Sequence, residues 1–196
     1  MWRYVRVDIP RGWVDEAKTR GQRLGVLKNS ITYGESNVYG MLGERVVAHM
    51  TKGKLVDTRD YDVLSKTGAK LEVKTKKCTH APRKHFECSC ARFNTRQRCD
   101  AYVFVRILRD CSVAFVCGFL PKDVFLEECH ALRKGDYDDR NKYYVKADCF
   151  NVTMTQLWSA KELEDWWPEE ELLASERKET GHSRSSARFY TSHSAI

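Results

Sequence analysis

No stretch of this sequence is apolar for long enough to cross a bilayer. The most apolar runs, around 101–108 and 112–120, are short and interrupted, whereas a span needs about 20 consecutive apolar residues. The opening residues MWRYVRVDIPRG alternate charged and apolar side chains and lack the apolar run of a secretory signal. No C-x2-C pair occurs among the eight cysteines, so the usual spacing of structural zinc is missing. The basic stretch after Lys74 has few aromatics, Phe86 and Phe93, which argues against a base-stacking platform of the single-strand-binding type. No segment repeats itself. These absences predict a cytoplasmic protein without a membrane span, its cysteines mostly reduced.

What is present fits one domain with a real core. The chain has 196 residues, 42% of them hydrophobic and 31% charged. Its formal net charge is +7, which favours a polyanionic partner, nucleic acid above all, without fixing the fold.

Hydrophobic periodicity predicts a charged helix over 11–24 and a second helix over 37–52. At about 100° per residue, Tyr39, Gly43, Val46, Val47 and Met50 share one side of that second helix, opposite Arg45, His49 and Lys52. Glu44 falls at the border. Short strands are expected at 54–58, 60–65 and 69–76, the last two joined by a tight turn at Thr67-Gly68. A short helix is expected over 91–100. Buried strands follow at 101–108 and 112–120. A helix over 122–133, a polar loop over 135–142, a strand over 143–150 and a Ser159-capped helix over 159–167 complete the domain. Residues 1–174 are read as one domain and 175–196 as a disordered basic tail.

The stretch LEVKTKK, residues 71–77, poses the functional question. Side chains alternate along a strand, so Glu72 and Lys74 share a face about 7 Å apart at the backbone. A solvated strand face gives the same letters. The Thr67-Gly68 turn, however, makes 60–65 the antiparallel neighbour of 69–76 and brings Asp62 towards Glu72. Two carboxylates side by side repel unless a cation lies between them. Carboxylates completed by water and phosphate describe a Mg²⁺ site. A lysine beside it can steady the attacking water or contact the phosphate, and Glu44 can add a third acid.

Glu44 in GMLGE, Asp62 in DYDV and Glu72 and Lys74 in LEVK together resemble the PD-(D/E)XK nuclease superfamily, over roughly residues 35–120. The resemblance implies an α/β fold with a mixed central β-sheet flanked by helices. Its αβββαβ restriction-endonuclease-like core would carry an N-terminal extension and C-terminal additions. It also implies Mg²⁺-dependent endonuclease action on DNA, with Mn²⁺ able to substitute. By that resemblance Asp62 and Glu72 ligate the metal, Glu44 supports it or its waters, and Lys74 sits by the water that attacks phosphorus in line. Gln97, with Tyr102 beyond it, is similar to a glutamine-tyrosine element of some branches. Lys76, Lys77, Arg96 and Gln97 are the expected substrate-binding residues, within a run of cations suited to a phosphate backbone. Tyr61 stands where the motif has proline. The compact size is similar to that of phage-encoded or mobile-element nucleases. Which DNA is cut, and whether a homodimer cuts it, stay open.

Two other readings stand beside this one. A nucleic-acid-binding module without catalysis would explain the charge but gains nothing from clustered carboxylates. A zinc-stabilised interaction protein would use Cys78, His80, His85, Cys88, Cys90 and Cys99, which crowd into one segment. Cys88 and Cys90 also suit small apolar positions on one face of a strand.

Overall fold

The computed structural model describes residues 3–24, 37–139 and 142–168. The chain divides into two units, Met1–Trp166 and Trp167–Ile196, and the first contains every helix and strand among the described residues. The expected tail beyond residue 174 lies outside the described residues. Among those described, no helix is long and apolar enough to cross a membrane.

The first half of the unit runs β1 (Val5–Asp8), α1 (Arg11–Leu24), α2 (Asn37–Met50), β2 (Lys54–Leu55), β3 (Val63–Leu64) and β4 (Lys70–Cys78). The second half has β5 (Glu87–Ala91), a 3-10 turn (Arg92–Arg96), β6 (Ala101–Leu108), β7 (Val113–Pro121) and α3 (Lys122–Glu128). It ends with β8 (His130–Leu132), β9 (Tyr137–Asp138), β10 (Tyr143–Tyr144) and β11 (Cys149–Thr153). The fold is mixed α/β. A six-stranded sheet has the order β1-β7-β6-β4-β3-β2, and a three-stranded sheet has the order β5-β11-β8. In the larger sheet β4 and β6 are parallel and every other pair is antiparallel.

Alternation along β6 separates two cores. Ala101, Val103, Val105 and Ile107 pack with Leu42, Val46 and Val47 of α2 and with Leu71 and Val73 of β4. Tyr102 and Phe104 pack on the opposite face with Cys88, Phe125, Val152 and Met154. α2 thus covers one face of the sheet, while the small sheet and α3 cover the other. The apolar runs of β6, interrupted by Arg106, and of β7 reflect this burial on both sides.

The approach of α2 to β4 depends on Gly43. A Cβ there would lie 2.0 Å from Thr75 Oγ1 and 3.1 Å from Thr75 Cβ, and a β-branched side chain has little freedom to move aside. Overpacking of this kind costs about 1–3 kcal/mol, against about 1 kcal/mol of helix propensity gained by alanine. Gly43→Ala is therefore expected to melt below the parent, and Gly43→Ala combined with Thr75→Ala above the single variant. Equal melting of parent and Gly43→Ala would show that α2 does not seat on β4 in this way.

Several expected elements take another form. The 122–133 segment is helical only to Glu128; Cys129 turns extended and His130–Leu132 pairs with β11 instead. Pairing within the small sheet overrides the local helical pattern there. The 159–167 segment forms successive turns rather than a helix, with Glu162 N–H donating to Ser159 and Asp165 N–H to Glu162. Its aromatic Trp166 packs edge-on against Phe119 at 5.3 Å. The expected helix over 91–100 is the short 3-10 turn, preceded by the unforeseen strand β5. The single strand expected over 143–150 is divided between β10 and the start of β11.

Candidate active site

Asp62 stands one residue before β3, at the point where β3 parts from β4. The ladder pairs Leu64 with Lys70 and Val63 with Leu71, and the Asp62 N–H donates to Leu71 O at 3.0 Å. One step further the main-chain partner is gone. The Asp62 carboxylate takes its place: Oδ2 accepts the Val73 N–H at 2.8 Å. A backbone donor that would otherwise be orphaned at this edge is satisfied, and the carboxylate is held across from Glu72.

Glu72, only 5% exposed, lies on the face of β4 that it shares with Lys74. Lys74 Nζ donates to Glu72 Oε1 at 2.5 Å. The other oxygen, Oε2, is buried and has no hydrogen-bond donor among the described residues. Behind Glu72 are Cys90, Cys99 and Tyr102, each close enough that its charge raises their proton affinity. The buried Glu72 carboxylate thus lies near two thiols and the Tyr102 hydroxyl.

Glu44 completes the group from α2. It is partly buried, and a Cβ on Gly40, one turn earlier, would lie 3.9 Å from its Oε1. Burial, then the nearby charge of Glu72, raises the Glu44 carboxyl above the usual carboxylate range, while Arg20 of α1 and Lys74 pull it back. Asp62 is pushed up to about 8 by burial first, then by Glu72 and Glu44; the Val73 hydrogen bond and Lys74 oppose the rise. Three acids thus crowd one low-dielectric edge with one lysine among them, an arrangement that favours either a proton or a cation.

The group suits a hard cation in one respect and not in another. Among the described residues no three His, Cys, Asp or Glu side chains converge as a ready-made metal cage. A Mg²⁺ site, however, takes one or two carboxylates and fills the rest with water and phosphate. Asp62, raised by burial first and then by Glu72 and Glu44, and Glu72, with its orphaned Oε2, are the two carboxylates such a site would use.

The other expected residues disperse. Lys76 is exposed on the same face of β4 as Lys74, whereas Lys77 projects to the opposite face. Arg96 is exposed at the end of the 3-10 turn, beside Arg92, Phe93 and Asp148. The Gln97 side-chain amide donates to Arg59 O at 2.9 Å and its backbone carbonyl accepts from Lys122 Nζ, so Gln97 ties loops together. The cysteines divide. Cys78 packs with Val113 and Phe115, while Cys88, Cys90 and Cys99 are buried in the core beneath the small sheet. His80 and His85 instead flank the Phe86 ring. Arg20 and the thiol wall carried no signal in the sequence, because only the packing of α1 and of β5 brings them to the acids.

No family model and no curated protein matches the chain.

Proposed function

We propose that the chain is a Mg²⁺-dependent deoxyribonuclease of the PD-(D/E)XK type, hydrolysing phosphodiester bonds. The observation that carries this reading is the meeting of Asp62, Glu72 and Lys74 where β3 leaves β4, with Glu72 Oε2 lacking a donor. The order of elements agrees with it: an acid-bearing helix α2, the meander β2-β3-β4, then β6 parallel to β4. One departure is that the connection from β4 to β6 carries β5 and a 3-10 turn in place of an α-helix.

Asp62 and Glu72 would hold the metal, and Glu44 would hold its surrounding water in place. When bound, Mg²⁺ or Mn²⁺ supplies Lewis-acid polarisation of the phosphate and makes a water more acidic. Asp62 would hold the cation as the carboxylate, releasing the proton that burial first, and then Glu72 and Glu44, make it keep. Lys74, its side chain 15% exposed beside Glu72, places an ammonium where negative charge grows on the phosphate. The wall of Cys90, Cys99 and Tyr102 keeps bulk water from behind Glu72, which strengthens each of these interactions.

The test is direct. Supercoiled, linear, single-stranded and four-way-junction DNA are incubated with the protein in Mg²⁺, in Mn²⁺ and in chelator. Cleavage of at least one form with metal and of none in chelator is the expected result. No cleavage of any form, or cleavage undiminished by chelator, overturns the assignment.

A further inference from the structure

The face of β4 that bears Glu72 and Lys74 continues into a cavity of about 470 Å³ between the β4–β6 pair on one side and β5 with residues 143–149 on the other. Register sets what lines its floor. Lys74 is paired with Phe104 and Lys76 with Arg106, so two cations stand abreast on adjacent strands and face the same way. Like charges placed directly opposite on a sheet destabilise it. The Lys76 ammonium holds its proton less tightly, through burial first and Arg106 next, with Cys88, Glu87 and Asp138 opposing the shift. The residue as a whole remains exposed.

Arg106 is the stronger anomaly. It is 8% exposed, yet it makes no ion pair among the described residues. One of its nitrogens donates to Glu87 O at 2.8 Å, its Cζ lies 5.1 Å from the Phe86 ring centre, and its Nε has no acceptor. A buried guanidinium without a counter-charge is costly. The carboxylate of Glu87, also in the wall, is engaged by Asn151 at 3.0 Å and His130 at 3.5 Å. Lys146 and Lys74 also line the cavity, making four cations with Lys76 and Arg106. Cations outnumber Glu87 in the lining, with Asp138 also near enough to act on Lys76, so the half-enclosed cavity carries a net positive charge and is continuous with Lys74. Its volume falls in the range of about 300–1,000 Å³ typical of small-ligand pockets. Tyr143, 37% exposed, stands at its side and offers a ring to a base.

We propose that this cavity is a phosphate-anchored subsite for a single unpaired nucleotide adjacent to the bond being cut, so that the substrate is single-stranded DNA or a frayed end rather than continuous duplex. The proposal rests on the nuclease reading for its substrate. Lys76 and Arg106 hold the phosphate next to the scissile one, and Tyr143 and the Phe104 side of the cavity receive the sugar and base. A cavity of about 470 Å³ walled by β5 and 143–149 suits one nucleotide better than a base pair.

The experiment measures binding without metal, then cleavage with it. Fluorescence anisotropy in chelator compares a labelled single-stranded oligonucleotide with a hairpin duplex of the same sequence, for the parent, Lys76→Gln and Tyr143→Ala. Single strand is expected to bind at least about tenfold tighter than duplex. Lys76→Gln is expected to weaken single-strand binding about tenfold and to lower its salt slope by about one. Both substituted side chains are exposed, so thermal melting should match the parent. Duplex bound as tightly as single strand, or both variants binding single strand like the parent, overturns the subsite. Cleavage separates the two ideas. Duplex cut as fast as single strand sinks the subsite and leaves the nuclease. Single-strand preference without any metal-dependent cleavage sinks the nuclease and leaves the subsite.

Discussion

Glu72→Gln is expected to lower metal-dependent DNA cleavage by at least about a thousandfold while leaving the fold intact, and Lys74→Gln by about 10²–10³-fold. Glutamine keeps the shape of Glu72 and can still meet Lys74, but it removes the charge that a hard cation requires. Lys74→Gln takes away the ammonium beside the phosphate and leaves the carboxylates in place. Glu44→Gln should cost less, about tenfold, because Glu44 reaches the site from α2 and acts through its charge on Asp62 and Glu72. Initial rates of plasmid nicking, read beside thermal melts of each variant, check the series. Parent-like rates in both Glu72→Gln and Lys74→Gln would place the chemistry elsewhere.

Stability without metal should fall as the pH rises, which is unusual for a basic protein near neutrality. The cause is Asp62, held at about 8 in the folded chain against an ordinary value of about 3.9 when unfolded. Below about pH 4 both states carry the proton. Between about pH 4 and 8 the folded chain keeps it and the unfolded chain has lost it, so each step up in pH favours unfolding. Above about pH 8 the effect levels off. The slope approaches about 1.4 kcal/mol per pH unit for one such carboxyl. Asp62→Asn can keep its oxygen on the Val73 N–H and never ionises. It should flatten the slope and melt several degrees above the parent near pH 8, each kcal/mol gained raising the melting temperature by about 2–4 °C in a domain of this size. Adding Mg²⁺ should raise the melting temperature of the parent but not of Asp62→Asn. A parent stability that is flat or rising across this window, measured by denaturant titration, would mean that Asp62 is not held against its neighbours.

Much of this site was legible in the sequence because it is built from local signals. The Thr67-Gly68 turn fixed the pairing of two strands, and Gly68 indeed adopts a left-handed φ of 93°. From that turn the alternation of LEVK and the position of Asp62 follow by counting. α2 and β4 were legible from their periodicity, and β6 and β7 from their long apolar runs. Strand β5 and strand β8 were not. Each is short and is stabilised by a neighbour distant in sequence, β11 in both cases, so helical patterns around His130 and Thr95 prevailed on paper. The cationic cavity was illegible for a related reason. Lys76 and Arg106 meet only through the parallel register of β4 and β6, a crossover pairing that no local pattern specifies.

The central claim is that Asp62 and Glu72 together seat a divalent cation. Calorimetric titration of Mg²⁺ and Mn²⁺ into the parent and into Glu72→Gln, near neutral pH and in two buffers of different ionisation heat, tests it most directly. The expected result is saturable binding to the parent, accompanied by release of a proton as Asp62 ionises, and no saturable binding to Glu72→Gln. Absence of saturable binding to the parent, or equal binding by Glu72→Gln, would contradict it.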